Sequence, residues 1–285
     1  MENLERLVVT MYAESQIHAG KGMDIGVVDL PIQRERTTKF PIIQGVKGSL
    51  RSNIKLAKNE EIEIFGSDPS ESSSGEESKP GSVAFSEAKI LLFPVRQPDR
   101  LFVWVTSPLA LLRFLSVLET EKAKQLLAKV EQTKLSDEEA LSITTDGEIW
   151  LEEIKIKAKK CEWLKELAEL ISESVGSIGY IKNKLKTDII VVKDEVFSSI
   201  LETMTDVVPR VRIDKEKGTV AQGALWYEEY LPQDTIMYFV ARKTAYAKKD
   251  ALDKLKAKID EQLITIGGKE SVGKGLVTLK VVNVK

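Results

Sequence analysis

The chain has 285 residues, enough to bury a sizeable core as one large domain or two small ones. It is 42% hydrophobic and 30% charged, with a formal charge of -2 and a pI near 5.8, so any nucleic-acid binding must rest on a local basic face and not on net charge. A lone cysteine, Cys161, excludes an intramolecular disulfide, and a lone histidine, His18, excludes a Cys/His metal cluster.

The N-terminal stretch MENLERLVVTMYAES carries acids and lacks an apolar signal core, and no uncharged run is long enough to span a bilayer. With the cysteine usage, this predicts a cytoplasmic protein without a membrane partner. Leu4 to Tyr12 is apolar and β-branched, a first strand. Glu14 to Gln44 reads as one long loop, rich in Gly and charge, and ordered loops of that length are commonly functional. Lys47 to Ala57 reads as a helix with Leu50, Ile54 and Ala57 on one face. Ser67 to Ser82 (SDPSESSSGEESKPGS) is an acidic, low-complexity insertion that need not pack.

Val83 to Pro94 and Leu101 to Thr106 predict two strands, joined by a turn carrying Arg96 and Arg100. Pro108 opens a helical stretch to Val130. A hairpin is expected around Asp146-Gly147, and an amphipathic helix over Ile154 to Glu173, with Trp163, Leu164, Leu167, Leu170 and Ile171 facing the core. Cys161 falls in that helix as a structural residue. Asp194 to Met204 is a short helix capped by Asp194. The run from Val207 to Pro232 alternates on both sides of Lys215 to Gly218, a hairpin. A strand at Thr235 to Val240, a helix at Ala247 to Leu263, a Gly-rich loop and a strand at Leu276 to Val284 complete the chain. The order predicts an α/β (α+β) fold with an antiparallel sheet; a ferredoxin-like architecture with inserted helices is the simplest candidate.

Three segments carry chemistry. VVDLPIQRERTTKFPIIQGVKGSLRS places one acid, Asp29, ahead of Arg34, Arg36, Lys39, Lys47 and Arg51. Those cations form either a solvated charged loop or a surface for a phosphate backbone. Asp29 is placed to hold a magnesium ion, to activate a 2′-hydroxyl, or to cap a turn. His18, in HAGKG, is a general acid or base by its near-neutral pKa, or a phosphate or backbone partner. The hairpin places Arg210 and Arg212 beside Trp226, Tyr227 and Tyr230, where cations neutralise phosphate and rings stack on bases or face the core. GGKESVGKG (267–275) brings Gly267, Gly268, Lys269, Gly273, Lys274 and Gly275 together. Its glycines suit close anion approach or a plain turn; the P-loop spacing fails at Gly275, and a strand follows instead of a helix.

The blocks HAGKG and GVVDLPIQRERTTKFPIIQGVKGSLR, then VPRVRIDKEKGTVAQGALWYEEYLP, then IGGKESVGKGLVTL, resemble the RAMP backbone subunits of type III-B CRISPR effector (Cmr) complexes. The likeness spans the chain. It implies a single RAMP domain over residues 1–285: a modified ferredoxin-like, RRM-like palm, a mainly helical insertion over 108–175, a thumb hairpin over 207–232 and a glycine-rich loop over 266–275. It implies that copies stack along a CRISPR guide RNA beside other Cmr subunits. Complementary single-stranded target RNA would be cut where each thumb interrupts the duplex, with Mg2+ or another divalent metal required. The family's cleavage aspartate falls on Asp29, also the metal residue. Its basic positions fall on Arg34, Arg36, Lys47 and Arg51, and Glu228 and Tyr230 match accessory positions near the scissile site. The compact IIQGVKGSLR turn and the acidic insertion (67–82) depart from the family pattern. Rival readings are a non-catalytic RAMP scaffold, a type III-A backbone subunit, a guide-processing nuclease centred on His18, and a metabolic α/β enzyme.

Overall fold

The computed structural model describes residues 5–24, 26–68, 79–214, 216 and 219–282. Most of the acidic insertion (69–78) and part of the hairpin tip lie outside them. In chain order the elements are β1 (Arg6–Ala13), β2 (Ile42–Ile43), α1 (Val46–Asn53), α2 (Lys58–Phe65), β3 (Val83–Phe85), β4 (Ala88–Gln97), β5 (Leu101–Thr106) and α3 (Pro108–Leu115). There follow α4 (Glu121–Glu131), β6 (Glu139–Ser142), β7 (Gly147–Leu151), β8 (Ile154–Lys160), α5 (Trp163–Ser174), α6 (Gly179–Leu185), β9 (Ile189–Val192) and α7 (Asp194–Thr203). The chain closes with β10 (Asp206–Ile213), β11 (Val220–Tyr230), β12 (Ile236–Lys243), α8 (Ala251–Ile259), β13 (Leu263–Thr265) and β14 (Leu276–Val282).

The centre of the large sheet runs β14-β1-β12-β4, each neighbour antiparallel, which is the order 4-1-3-2 along the chain. β1 shows why both faces are buried. Val9, Met11 and Ala13 enter one core with Val46 and Leu50 of α1, Phe65 of α2 and Leu255 and Ile259 of α8. Val8 and Tyr12 enter a second core with Phe114, Leu126, Leu164 and Leu167 of α3, α4 and α5. Strand alternation sends successive side chains to opposite faces, and here both sets are apolar. Both faces of the central sheet are therefore covered by packed side chains, which leaves the strand ends and the β10–β11 hairpin accessible.

Beyond β4 the sheet continues through β5, β9, β6, β8 and β7 and curls back, so that the Glu152 amide donates to the Arg96 carbonyl at 3.0 Å. Residues 154–160 correct the expected helix over Ile154 to Glu173. Ile154, Ile156 and Ala158 point inward between exposed Lys155, Lys157 and Lys159, a period of two that makes a strand; only from Trp163 do Leu164, Leu167, Ala168 and Ile171 follow helical spacing. The 108–175 segment holds β6, β7 and β8 beside the longer α3, α4 and α5. The hairpin turn lies at Glu152-Glu153 instead of Asp146-Gly147, because β6 and β7 both pair with β8. The segment at 47–57 is helical only to Asn53, and α2 follows it. Asp194 does not cap α7: Lys193 is the N-cap, and the Asp194 carboxylate accepts from the Leu109 amide at 2.8 Å, tying α7 to α3. Among the described residues no helix is long and apolar enough to cross a membrane.

Candidate active site

The long loop after β1 is ordered by pairing at its ends and its middle. Ile17 and Leu231 exchange backbone hydrogen bonds at 3.0 and 2.9 Å, and the Gly268 amide donates to the His18 carbonyl at 2.8 Å. The Gln33 amide donates to Ala19 O at 2.7 Å, doubling the loop on itself. One leg then runs parallel to β11. The Leu30 amide donates to Tyr227 O and the Glu229 amide donates to Leu30 O, both at 3.0 Å. In this register the Tyr227 amide donates to Asp29 Oδ2 at 2.7 Å. Asp29 is partly exposed. The aspartate is thus fixed at the root of the β10–β11 hairpin by that hairpin's own backbone.

Successive residues of β11 face opposite ways, and the paired glutamates use this. Glu228, 1% exposed, faces the glycine-rich loop. Its carboxylate accepts from Lys269, from Tyr230 Oη, from Trp226 Nε1 at 2.8 Å and from Arg210 Nε at 3.2 Å. Burial alone would raise its pKa, but the bonds from Lys269, Tyr230 and Trp226 outweigh that and hold it at about 2. Tyr230 is fully buried, and burial pushes its hydroxyl above the usual tyrosine range. Glu229 faces the Asp29 segment. It accepts from the Ile32 amide at 3.0 Å, from Thr205 Oγ1 at 2.8 Å and from Arg34 in an ion pair.

His18 is 6% exposed, its ring 5.4 Å from that of Tyr230. Nδ1 lies 2.8 Å from the Glu229 carbonyl, which only accepts, so Nδ1 carries the hydrogen. Nε2 lies beneath Gly20, where a Cβ would stand 2.6 Å from it. The residue type at 20 is dictated by that close approach.

The basic positions divide into two groups. Arg34 is committed to Glu229 and the Lys39 carbonyl, and Arg51 to the Gly66 carbonyl, Glu61 and the face of Phe65. Arg210 and Lys269 are tied to Glu228, and Lys274 to Gln16 and the Tyr230 ring. Arg36, Lys39, Lys47 and Arg212 are exposed on the surface. In the glycine-rich loop the amides of Gly268, Val272, Gly273, Lys274 and Gly275 close onto His18, Gln16 or the loop itself. Gly267 and Gly275 have φ of +83° and +79° and back onto the carbonyls of His18 and Ile266. Turn geometry accounts for these two glycines, and the loop's main structural product is the seating of His18.

Glu229, Thr205, Gln16 and the Tyr227 amide are site members that sequence reasoning missed. The only signal was the second acid in WYEEYLP, buried one residue after the first. Among the described residues no three His, Cys, Asp or Glu side chains converge to hold a metal ion.

The RAMP superfamily model matches residues 10–278. The chain is 38% identical to the CRISPR system Cmr endoribonuclease Cmr4 of Pyrococcus furiosus, over 97% of this chain and 96% of that protein. The crystal structure of oligomeric Cmr4 from Pyrococcus furiosus superposes with a TM-score of 0.72 at 31% identity, covering 99% of this chain and 100% of that one. A subunit of the type III-B Cmr-beta complex bound to cognate target RNA shares the fold, with a TM-score of 0.78 at 20% identity, 98% of this chain and 97% of that one being covered. A family match over nearly the whole chain, with a long relative of the same kind, makes this protein a Cmr4-like member of the RAMP superfamily.

Proposed function

We propose that this chain is the backbone subunit of a type III-B CRISPR ribonucleoprotein, binding guide RNA and cutting complementary target RNA at regular intervals through Asp29. The observation that carries the reading is the seat of that residue: a partly exposed carboxylate held by the Tyr227 amide at the root of the hairpin whose strand β11 also carries the buried Glu228 and Tyr230. The 4-1-3-2 strand order supports a modified ferredoxin-like, RRM-like palm, with β10–β11 as its thumb.

In this mechanism base pairing to the guide supplies specificity, and Arg36, Lys39, Lys47 and Arg212 hold phosphate without reading sequence. The thumb interrupts the duplex and leaves one target nucleotide unstacked beside Asp29. Its 2′-hydroxyl attacks the adjacent phosphorus, the proton passes toward the Asp29 carboxylate, and the 5′-oxygen departs to leave a cyclic phosphate. In-line placement of attacking and leaving oxygens supplies much of the acceleration. A divalent ion, when bound, would stabilise charge developing on the phosphate. Asp29 would then be its protein ligand in place of serving as base; one carboxylate with phosphate oxygens and water is a set that suits Mg2+, which seldom uses an all-protein cage. Glu228 and Tyr230, being buried, support the site by anchoring Lys269 and Arg210. Burial of His18 with Nδ1 already bonded argues against a processing nuclease centred on that residue.

The test is the complex reconstituted with guide RNA, Mg2+ and end-labelled complementary target, wild type against Asp29→Ala. Regularly spaced fragments lost only in the variant, with RNA binding retained, are the expected result. No cutting by wild type despite tight binding points to a scaffold, and failure of the variant to assemble sinks the assignment of Asp29.

A further inference from the structure

We infer that Glu229 is the positioning residue of Asp29, clamping the aspartate's loop to the root of the hairpin. The inference rests on the reading of Asp29 as the cleavage residue. The loop leg from Asp29 to Arg34 crosses β11 with two backbone bonds, Leu30 N to Tyr227 O and Glu229 N to Leu30 O. Those bonds and the Tyr227 amide on Asp29 hold the start of the leg to the hairpin, and the Gln33 amide on Ala19 O holds its end to the loop. The Glu229 carboxylate ties the stretch beyond Leu30 to the hairpin. Oε2 takes the Ile32 amide at 3.0 Å, two residues further along, and Oε1 takes the Arg34 guanidinium, two residues further still. Oε1 also accepts from Thr205 Oγ1 at 2.8 Å, which fixes the carboxylate from the start of the other hairpin strand.

The clamp is buried on both sides: the Glu229 side chain is 7% exposed and Arg34 17%. The Glu229 carbonyl accepts from His18, so the same residue ties the loop's entrance to its exit. Arg34 continues the chain of contacts, its other nitrogen donating to the Lys39 carbonyl at 3.0 Å and closing the turn that leads to Ile42. A carboxylate that takes three donors from two segments acts through geometry. What it determines is where the leg lies, and hence whether the Tyr227 amide reaches Asp29.

The experiment compares wild type, Glu229→Ala and Glu229→Gln in the assembled, guide-loaded complex. Hydrogen exchange followed by mass spectrometry reads the clamp directly. The alanine variant should lose protection in peptides spanning 27–34, while β1, β12 and β14 keep theirs. Glutamine keeps one oxygen for the Ile32 amide and turns its NH2 toward Thr205 Oγ1, losing the Arg34 pair, and should restore part of it. Target cleavage at saturating target should fall on the order of 100-fold for alanine with target affinity unchanged, and recover in part with glutamine, as expected for misplacement of a reacting group by about 1 Å. Unchanged protection at 27–34 in the alanine variant overturns the inference whatever the cleavage result; so does loss of protection with wild-type cleavage. If alanine loosens the whole chain, the glutamine variant decides by the same local reading. A wild type that does not cut defeats the proposed function alone, since the exchange data still test the clamp.

Discussion

Glu228→Gln removes one negative charge and almost no volume, and its consequence can be worked from the site. The wild-type carboxyl is held at about 2 against an ordinary value of 4.5. A carboxyl held that far down stabilises the folded state by roughly 3 kcal/mol once pH is above its unfolded pKa. That figure is a ceiling, because Arg210 and Lys269, each with a side chain 32% exposed, stay partly hydrated when their counter-ion is removed. The sign follows from the direction of the shift. The stabilisation is complete at neutral pH and is lost as pH falls through the folded value, with about half of it gone near pH 3. Urea unfolding of the two proteins should therefore show midpoints about 1 M apart at neutral pH, for a slope of about 3 kcal/mol per M. The gap should close by about half near pH 3. Other carboxylates with depressed values, such as Glu63 and Glu139, titrate alike in both proteins and cancel in the difference. A gap that stays constant with pH would refute the argument, because it would place the loss in packing or hydrogen-bond geometry instead of charge.

Gly275→Ala puts a Cβ against the Ile266 carbonyl at a φ of +79° and should destabilise by about 2 kcal/mol or more, whereas Gly48→Ala, in open space on α1, should stabilise by about 0.5 kcal/mol; thermal melts separate the two. Arg36→Ala and Lys47→Ala should weaken guide retention and lower the salt slope by about 1 each in a binding titration across salt concentration, and unchanged retention would count against phosphate contact at these residues.

The sheet was legible where one strand carries one pattern. β14 alternates, β1 is an apolar, β-branched run, and the polar Lys-Glu-Lys-Gly sequence at 215–218 marked the hairpin. IKIKAKK was lost because it abuts the helical WLKELAELI without Gly or Pro between them, so the change of period from two to 3.6 falls inside one unbroken amphipathic stretch. Within the site, Asp29 and its basic neighbours stood out by charge, but charge does not tell which cations are spent. Arg34 meets Glu229 195 residues away, and Arg51 is taken up by Gly66, Glu61 and Phe65. Such partners are set by tertiary packing, and no local spacing encodes them. Glu229 escaped notice for the same reason: beside Glu228 it looks like a second solvated acid, and only the alternation of a strand buried on both sides separates their tasks.

That alternation also bears on how a chain of net charge -2 can present a phosphate surface. Two adjacent acids on one strand serve two loops, Glu228 meeting Lys269 and Arg210 on one side and Glu229 meeting Arg34 on the other. Cations near the hairpin root are thus largely neutralised from within, where they fix geometry and add little to the outer field. In the proposed function the attraction for RNA falls to residues outside this network, Arg36, Lys39, Lys47 and Arg212, which are exposed and lie on the loop, on α1 and on β10. Surface charges are screened over about 8 Å at physiological salt, so these few cations can act locally while acids elsewhere on the chain dominate the total. The division explains why mutating Arg34 should disturb the fold of the loop, and mutating Arg36, two residues along, should disturb only what the loop holds.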